Sequence, residues 1–402
     1  MKCNKWTLGL AAVGVVSMAS VVQAEEKASS VMTALSSTTL SGYVDTSAQW
    51  NLGTGNAHNP GYAFGGPGKA DGFNLNVVKL SLEKAADAAD AWGAGYKVDA
   101  LFGPDANALG TQSSGFGSGT DFGIKQAYVD LKAPVGNGLD IKMGVWDTII
   151  GYEVFESGNN PNFTRSYGYT IEPTTHTGVL ASYQVSEMIS LSGGVANTYG
   201  PVINGRAFNG GGSGLFGSKA ESYKTYLGSV ALTAPKDWGF ISGSTLYGCV
   251  INGFNGGPNA QTSLYVGSSI NTPLKELKVG IAYDYAGTSK TTTPAIASTY
   301  ANAVGIYATY QVTEKLSLNA RGEYASHSTI AGAAAYAGPT KVLEGTLTAQ
   351  YDLWKNVISR LEVRWDHQAD GGPLAYGGAA AFPFAADRKN AYEVIANIIY
   401  KF

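Results

Sequence analysis

The closing stretch, Asn390-Ala-Tyr-Glu-Val-Ile-Ala-Asn-Ile-Ile-Tyr-Lys-Phe402, constrains this chain more than any other. Tyr392, Val394, Ala396, Ile398, Tyr400 and Phe402 fall at every second position, so in a strand they share one face, with Glu393, Asn397 and Lys401 on the other. A strand that runs to the end of the chain leaves a row of unpaired backbone groups on its free edge unless a partner covers it. Pairing with the first strand supplies that partner and closes the sheet.

The same alternation recurs upstream. Trp92, Ala94, Tyr96, Val98, Ala100 and Phe102 alternate with Lys97 and Asp99, and Leu139, Ile141, Met143 and Val145 with Asp140 and Lys142. Leu277, Val279, Ile281, Tyr283 and Tyr285 alternate with Lys278 and Asp284; Leu316, Leu318, Ala320 and Tyr324 with Asn319, Arg321 and Glu323. Val357, Leu361, Val363 and Trp365 alternate with Arg360, Glu362, Arg364 and Asp366. Further candidate strands are 39–50, 73–84, 122–132, 175–186, 188–198, 222–234, 239–251, 262–272, 300–312 and 341–352, of which 73–84 is the least regular. Lys or Arg on a lipid face costs roughly 2–4 kcal/mol at mid-bilayer, so a wholly uncharged face repeated over many strands is what a membrane demands and water does not.

Tight connections such as Val185-Ser186-Glu187-Met188, Ala234-Pro235-Lys236-Asp237, Thr272-Pro273-Leu274-Lys275 and Val312-Thr313-Glu314-Lys315 alternate with long ones rich in Gly, Asn and Pro. Short turns on one rim and long loops on the other are the build of transmembrane barrels. The expected fold is all-β: an antiparallel up-and-down transmembrane β-barrel of about sixteen strands, a size that leaves a water-filled channel, with a long inward-folding third loop. A propeller would share a motif between blades, and a row of sandwich domains would show linkers; neither is present.

Ahead of the strands, Lys2 and Lys5 precede an apolar run from Leu8 to Val16 and a small-residue site at Val22-Gln23-Ala24. This reads as an export signal over 1–24, with 25–38 as a short periplasmic segment and 39–402 as the barrel. Cleavage after Ala24 removes Cys3 and leaves Cys249 without a partner. With 53 Gly, 24 Tyr and 14% charged residues, the composition suits strands, and a net charge of −3 argues against nucleic acid as a partner. No apolar run of about twenty residues follows the signal, and a barrel needs none.

The most distinctive stretch is Gly144-Val145-Trp146-Asp147-Thr148-Ile149-Ile150-Gly151-Tyr152-Glu153-Val154-Phe155-Glu156-Ser157, followed by Asn159 to Tyr167 with Arg165-Ser166-Tyr167. With Gly144, Thr148, Gly151, Glu153, Asn160 and Arg165, the resumption at His176-Thr-Gly178 and the opening Gly42-Tyr43-Val44-Asp45, the chain resembles the OmpL-like family of β-barrel porins. Its end is similar to that of Gram-negative outer-membrane barrels, which close on alternating aromatics and a final Phe. The resemblance implies the cell outer membrane, a porin, a third loop folded inward as in general porins, and a possible homotrimer. Loop 147–174 would bury Ile149, Ile150, Val154 and Phe155 on an inner wall. Asp147, Glu153, Glu156 and Glu172, with Arg165 on the same loop, would then face Arg321, Arg360 and Arg364 across a slot whose transverse field filters ions. The alternative is local pairing: Arg321 with Glu323 or Glu362, and Arg364 with Asp366. Trp238 to Leu274 carries no charge, so that arc of the lumen is expected to face sugars or a neighbouring subunit.

Catalytic patterns are absent from the sequence. His58 and His327 fall in or beside loops, His176 and His367 at strand ends, none with metal-ligand spacing. Gly212 to Lys219 lacks the Lys a phosphate loop requires after its last Gly and reads as a plain loop; no Gly-x-Ser-x-Gly elbow or calcium loop occurs. The expected function is passive diffusion of small hydrophilic solutes or ions through a channel in outer-membrane lipid, with no cofactor and no enzymatic activity. The alternatives are a structural or adhesive barrel and a rim hydrolase using His367 and Asp366.

Overall fold

A computed structural model describes residues 31–32, 38–53, 56–86, 92–111, 120–207, 223–255, 260–292, 295–328, 337–378 and 386–402. The export signal, nearly all of segment 25–38 and the loop Gly212 to Lys219 lie outside the described residues.

Sixteen antiparallel strands form one closed barrel. They are β1 (Thr39–Asn51), β2 (Gly72–Lys84), β3 (Gly93–Phe102), β4 (Phe122–Ala133), β5 (Leu139–Asp147), β6 (Thr175–Gln184), β7 (Ile189–Ala196) and β8 (Thr225–Thr233). They continue with β9 (Thr245–Phe254), β10 (Ala260–Asn271), β11 (Leu277–Thr288), β12 (Thr299–Gln311), β13 (Leu316–His327), β14 (Lys341–Trp354), β15 (Val357–Gln368) and β16 (Asn390–Lys401). Each pairs with its neighbours in sequence, and β16 closes on β1 from Glu393↔Asn51 to Lys401↔Tyr43, so no sheet edge is left. Most boundaries fall within three residues of expectation, and one start differs by more. Strand nine begins at Thr245 rather than 239, because the chain after Pro235 makes a 3-10 turn at Gly239–Ile241 before Ser244 and Ala234 bond across the connection.

Alternation sorts the two faces. Outward side chains are apolar and exposed, as at Leu347, Ile306 and Leu361, and inward ones are polar and buried, as at Arg364, Asp366, Glu362 and Asn397. Trp50, Phe73, Phe102, Phe122, Tyr300 and Tyr324 ring the long-loop end of the outer surface; Trp92, Tyr310, Tyr351, Trp354 and Tyr400 ring the short-turn end. Two aromatic girdles flanking an apolar band are the outer-membrane arrangement.

Three bulges interrupt the ladders, one of them at Leu353 beside the turn between β14 and β15, where Asp352 pairs with Ile358 and Trp354 with Val357; the other two lie within the barrel wall. Between β1 and β2, Asp45 pairs with Val77 and Thr46 with Leu75, so Asn76 is extra; between β3 and β4, Asp99 pairs with Gln126 and Ala100 with Ile124, so Lys125 is extra. A bulge re-aims its side chains. Asn76 and Val77 are therefore both buried, as are Lys125 and Gln126. The bulge at Asn76 accounts for the irregular reading of 73–84.

The core lies inside the barrel and is filled by loops. Helix α1 (Pro104–Leu109), in the second long connection, packs Ala106 and Leu109 with Tyr43, Val77, Leu101 and Phe155. Helix α2 (Tyr167–Ile171), in the third, packs Tyr167 and Ile171 on Ala286, Ala301, Ala303, Ala325 and Val342.

Candidate functional site

Residues 148–174 leave β5 and cross the barrel interior before returning to β6, their ends joined where Thr148 N–H donates to the Thr174 carbonyl at 2.9 Å. The residues shared with the OmpL-like pattern set the path. Gly144, at φ 137°, sits where a Cβ would fall 2.3 Å from the Ala127 carbonyl oxygen, and past it Val145 and Trp146 are both buried. Thr148 meets His176 Nε2 at 3.1 Å. Gly151, at φ 119°, takes a left-handed turn that a side chain would strain. Asn160 uses its side-chain amide as a backbone would, accepting from Val154 N–H at 2.8 Å and donating to the Val154 carbonyl at 2.7 Å.

On one side the loop is apolar. Ile149, Ile150 and Tyr152 pack with Trp146, Tyr247, Cys249, Ile251, Tyr265 and Tyr307. Tyr152 stacks on Tyr307 with ring centroids 4.0 Å apart, and Tyr247 hydroxyl donates to the Ile149 carbonyl. The uncharged arc of β9 and β10, expected to face sugars or a neighbouring subunit, is instead met by the loop at its inward Tyr247, Cys249, Ile251 and Tyr265.

Toward β13–β16 the seam is ionic. Arg321 donates to Glu153 at 2.8 Å, to Glu344 at 3.1 and 3.2 Å and to the Thr164 carbonyl at 2.6 Å. Arg364 clasps Asp366 at 2.8 and 2.9 Å, donates to the Arg165 carbonyl at 2.7 Å and lies 3.8 Å from the Tyr62 ring centroid. Arg360 donates to the Ser157 carbonyl at 2.8 Å. Arg165 stays within the loop, donating to the carbonyls of Phe163 and Phe155 with its guanidinium over the Phe64 ring. Glu362 accepts from Phe163 and Thr164 N–H at 2.5 and 2.9 Å, and Glu323 from Tyr167 and Gly168 N–H at 2.6 and 2.7 Å.

Of the acid-on-base slot expected from sequence, only Glu153 and Arg321 come together, and they touch. Their side chains are 0% exposed, as are those of Glu344, Arg364 and Asp366, so this wall is a joint rather than an open gap. The local alternative is met for Arg364 with Asp366. Arg321 instead takes Glu344, because Glu323 and Glu362 are saturated by the loop's own N–H groups.

The remaining acids meet lysines that the sequence reading missed. Lys79 lies 2.9 Å from Asp99 and 2.6 Å from Glu156; Lys125 lies 3.1 Å from Glu156 and also bonds Asp147. Burial alone would raise the Glu156 carboxyl, but Lys125 and Lys79 hold it well below the usual carboxylate range. Lys125 faces inward only because of the bulge, so strict alternation hid it. Glu172 is opposite: burial first, then the neighbouring Asp284 carboxyl, hold it well above the usual range. Asp366 points into the barrel while His367 meets Asn390 at 2.8 Å, so the two do not form a catalytic pair. Among the described residues no group of His, Cys, Asp and Glu is placed to hold a metal ion.

Residues 37–402 match the sequence profile of the family described as "Putative beta-barrel porin-2, OmpL-like". No curated protein matches the chain in sequence. In fold it is similar to the outer-membrane channel DcaP of Acinetobacter baumannii, with 13% identity, 91% of this chain and 97% of that one covered, and a TM-score of 0.56. The anion-selective porin from Comamonas acidovorans shares 13% identity over 91% of this chain and 99% of that one, with a TM-score of 0.57. The trimer form of OmpT, an outer-membrane protein of Vibrio cholerae, shares 12% identity over 91% and 99%, with a TM-score of 0.53.

Proposed function

As a member of the OmpL-like β-barrel porin family the chain is an outer-membrane porin, and we propose that it passes small hydrophilic solutes or ions by diffusion, narrowed by loop 148–174. In this reading Glu153, Glu172, Arg165, Arg321, Arg360 and Arg364 fasten the loop across the lumen. Asp147 and Glu156, with Lys79 and Lys125 opposite, present the charge that permeating ions meet. Supporting this division, the Arg321 and Arg364 side chains are fully buried, whereas the Asp147 side chain is 36% exposed. Below the loop the inward residues are small and polar, including Ser182, Gln184, Ser190, Ser192, Ser317 and Gln350, consistent with a water-filled mouth.

We propose a homotrimer in the membrane, as OmpT forms. Purified protein in planar bilayers should give stepwise conductance increments; a correctly folded protein that gives none refutes the channel.

A further inference from the structure

Residues 56–71, in the first long connection between β1 and β2, reach four other connections. Lys69 lies 2.6 Å from Asp105 on α1 in the second. Gly61 bridges to Ala337 in the seventh, and His58 exchanges backbone bonds with Gly377 in the eighth, at 3.0 and 3.2 Å. The contacts with the third loop and the wall come from three consecutive residues. Tyr62, with its ring on Arg364, donates its hydroxyl to Glu393 on β16 at 2.6 Å. Ala63 N–H donates to the Thr170 hydroxyl on α2 at 2.9 Å. Phe64 meets the third loop at three separate points: the Phe155 ring edge-on at 5.3 Å between centroids, the Tyr169 ring at 6.0 Å, and the Arg165 guanidinium 5.4 Å over its own ring. Its backbone sits at φ 64°, a left-handed conformation that an aromatic side chain takes only under strain, and such strain persists only where the surrounding contacts over-determine it.

We propose that residues 56–71 are a strap that positions the constriction, with Phe64 as its latch. Strand residues of β13–β16 hold the third loop from the wall; the strap holds it from the long-loop rim, and lifting the strap frees loop 148–174 to leave the wall and widen the lumen. Phe64 is a positioning residue and acts only through Phe155, Arg165 and Tyr169. The inference rests on the reading of loop 148–174 as the constriction, while the docking itself is measured without conductance.

Trypsin cleavage at Arg165 in the folded, full-length protein in detergent reads that docking, because the bond is cut only when the loop comes away. An edge-on aromatic pair and a cation over a ring are each worth a several-fold change in an equilibrium constant, so Phe64→Ala should speed cleavage at least about tenfold. Phe64→Tyr should cleave as the wild type does, and neither change should lower the temperature at which the compact band is lost in gel electrophoresis. Tyr62→Phe keeps the ring on Arg364, removes only the bond to Glu393 and should speed cleavage several-fold, which keeps the test open should Phe64→Ala fail to fold. Cleavage unchanged by both Phe64→Ala and Tyr62→Phe, or Phe64→Tyr cleaved as fast as Phe64→Ala, overturns the proposal. So does a compact-band midpoint that falls in step with cleavage, since the ring would then be supporting the barrel. In bilayers Phe64→Ala should give larger and noisier current steps. A wild type that conducts nothing while Phe64→Ala still frees Arg165 sinks the channel reading and leaves the strap standing; a conducting wild type whose cleavage ignores both changes loses the strap alone.

Discussion

Arg321→Met removes the pivot of the loop–wall joint. In the wild type one guanidinium satisfies Glu153 on the loop and Glu344 on β14, with all three side chains fully buried. Removing it leaves two carboxylates in a dry seam, and stranding one member of a buried ionic cluster costs about 3–5 kcal/mol. The loss falls on docking of residues 148–174 rather than on the barrel, whose strands keep their ladder. The docking constant should therefore drop between roughly a hundredfold and several thousandfold. Arg165, buried on the loop, supplies a built-in reporter, because trypsin cuts after it only when the loop is undocked. Cleavage at Arg165 in folded, detergent-solubilised protein should rise in that proportion, with larger and noisier single-channel current. Glu153→Gln alone should cost less, about 1–3 kcal/mol, since the amide oxygen still accepts from Ser166 N–H. The double variant should fall short of the sum, because Glu153 no longer leaves a stranded charge. Trypsin resistance at Arg165 equal to wild type, or strict additivity of the two changes, would refute the joint.

Glu172 carries the pH dependence of docking. Its folded carboxyl titrates above its free value of about 4.3, so the docked state binds the extra proton and its stability is present at acid pH and lost as pH rises from there through the folded value. Trypsin cleavage at Arg165 should be slower at pH 5 than at pH 9, and Glu172→Gln should flatten the difference; an unchanged slope rejects the carboxyl pair with Asp284 as its source. Lys125→Met frees Asp147, leaves Glu156 paired with Lys79 alone, and should shift the reversal potential in a KCl gradient toward cation preference, while a shift toward anions would contradict their place on the ion path. Gly144→Ala places a Cβ 2.3 Å from the Ala127 carbonyl at a φ of 137° and should cost about 1–3 kcal/mol, read as a lower temperature for loss of the compact band in gel electrophoresis. Retention of the wild-type midpoint would show that β4 and β5 relax around it.

The barrel, its strand number, its apolar outward face and the long loop between β5 and β6 were all legible in the residue pattern. Each follows from the side-chain period of two and from the cost of a charge in hydrocarbon, both local to the segment concerned. Which charge meets which was set by the folded chain alone. Arg321 and Glu153 are 168 positions apart and Asp45 and Ser157 112, and their meeting depends on strand register and on the route of the loop. The bulges at Asn76 and Lys125 made the same point within single strands. An extra residue is invisible to alternation, since it is defined by the neighbouring strand's register, yet it aimed Lys125 inward and gave Asp147 and Glu156 their partner. Three arginines in a row along an inner wall looked like one side of an open slot; saturation of Glu323 and Glu362 by the loop's own backbone turned that wall into the surface on which the loop is fixed.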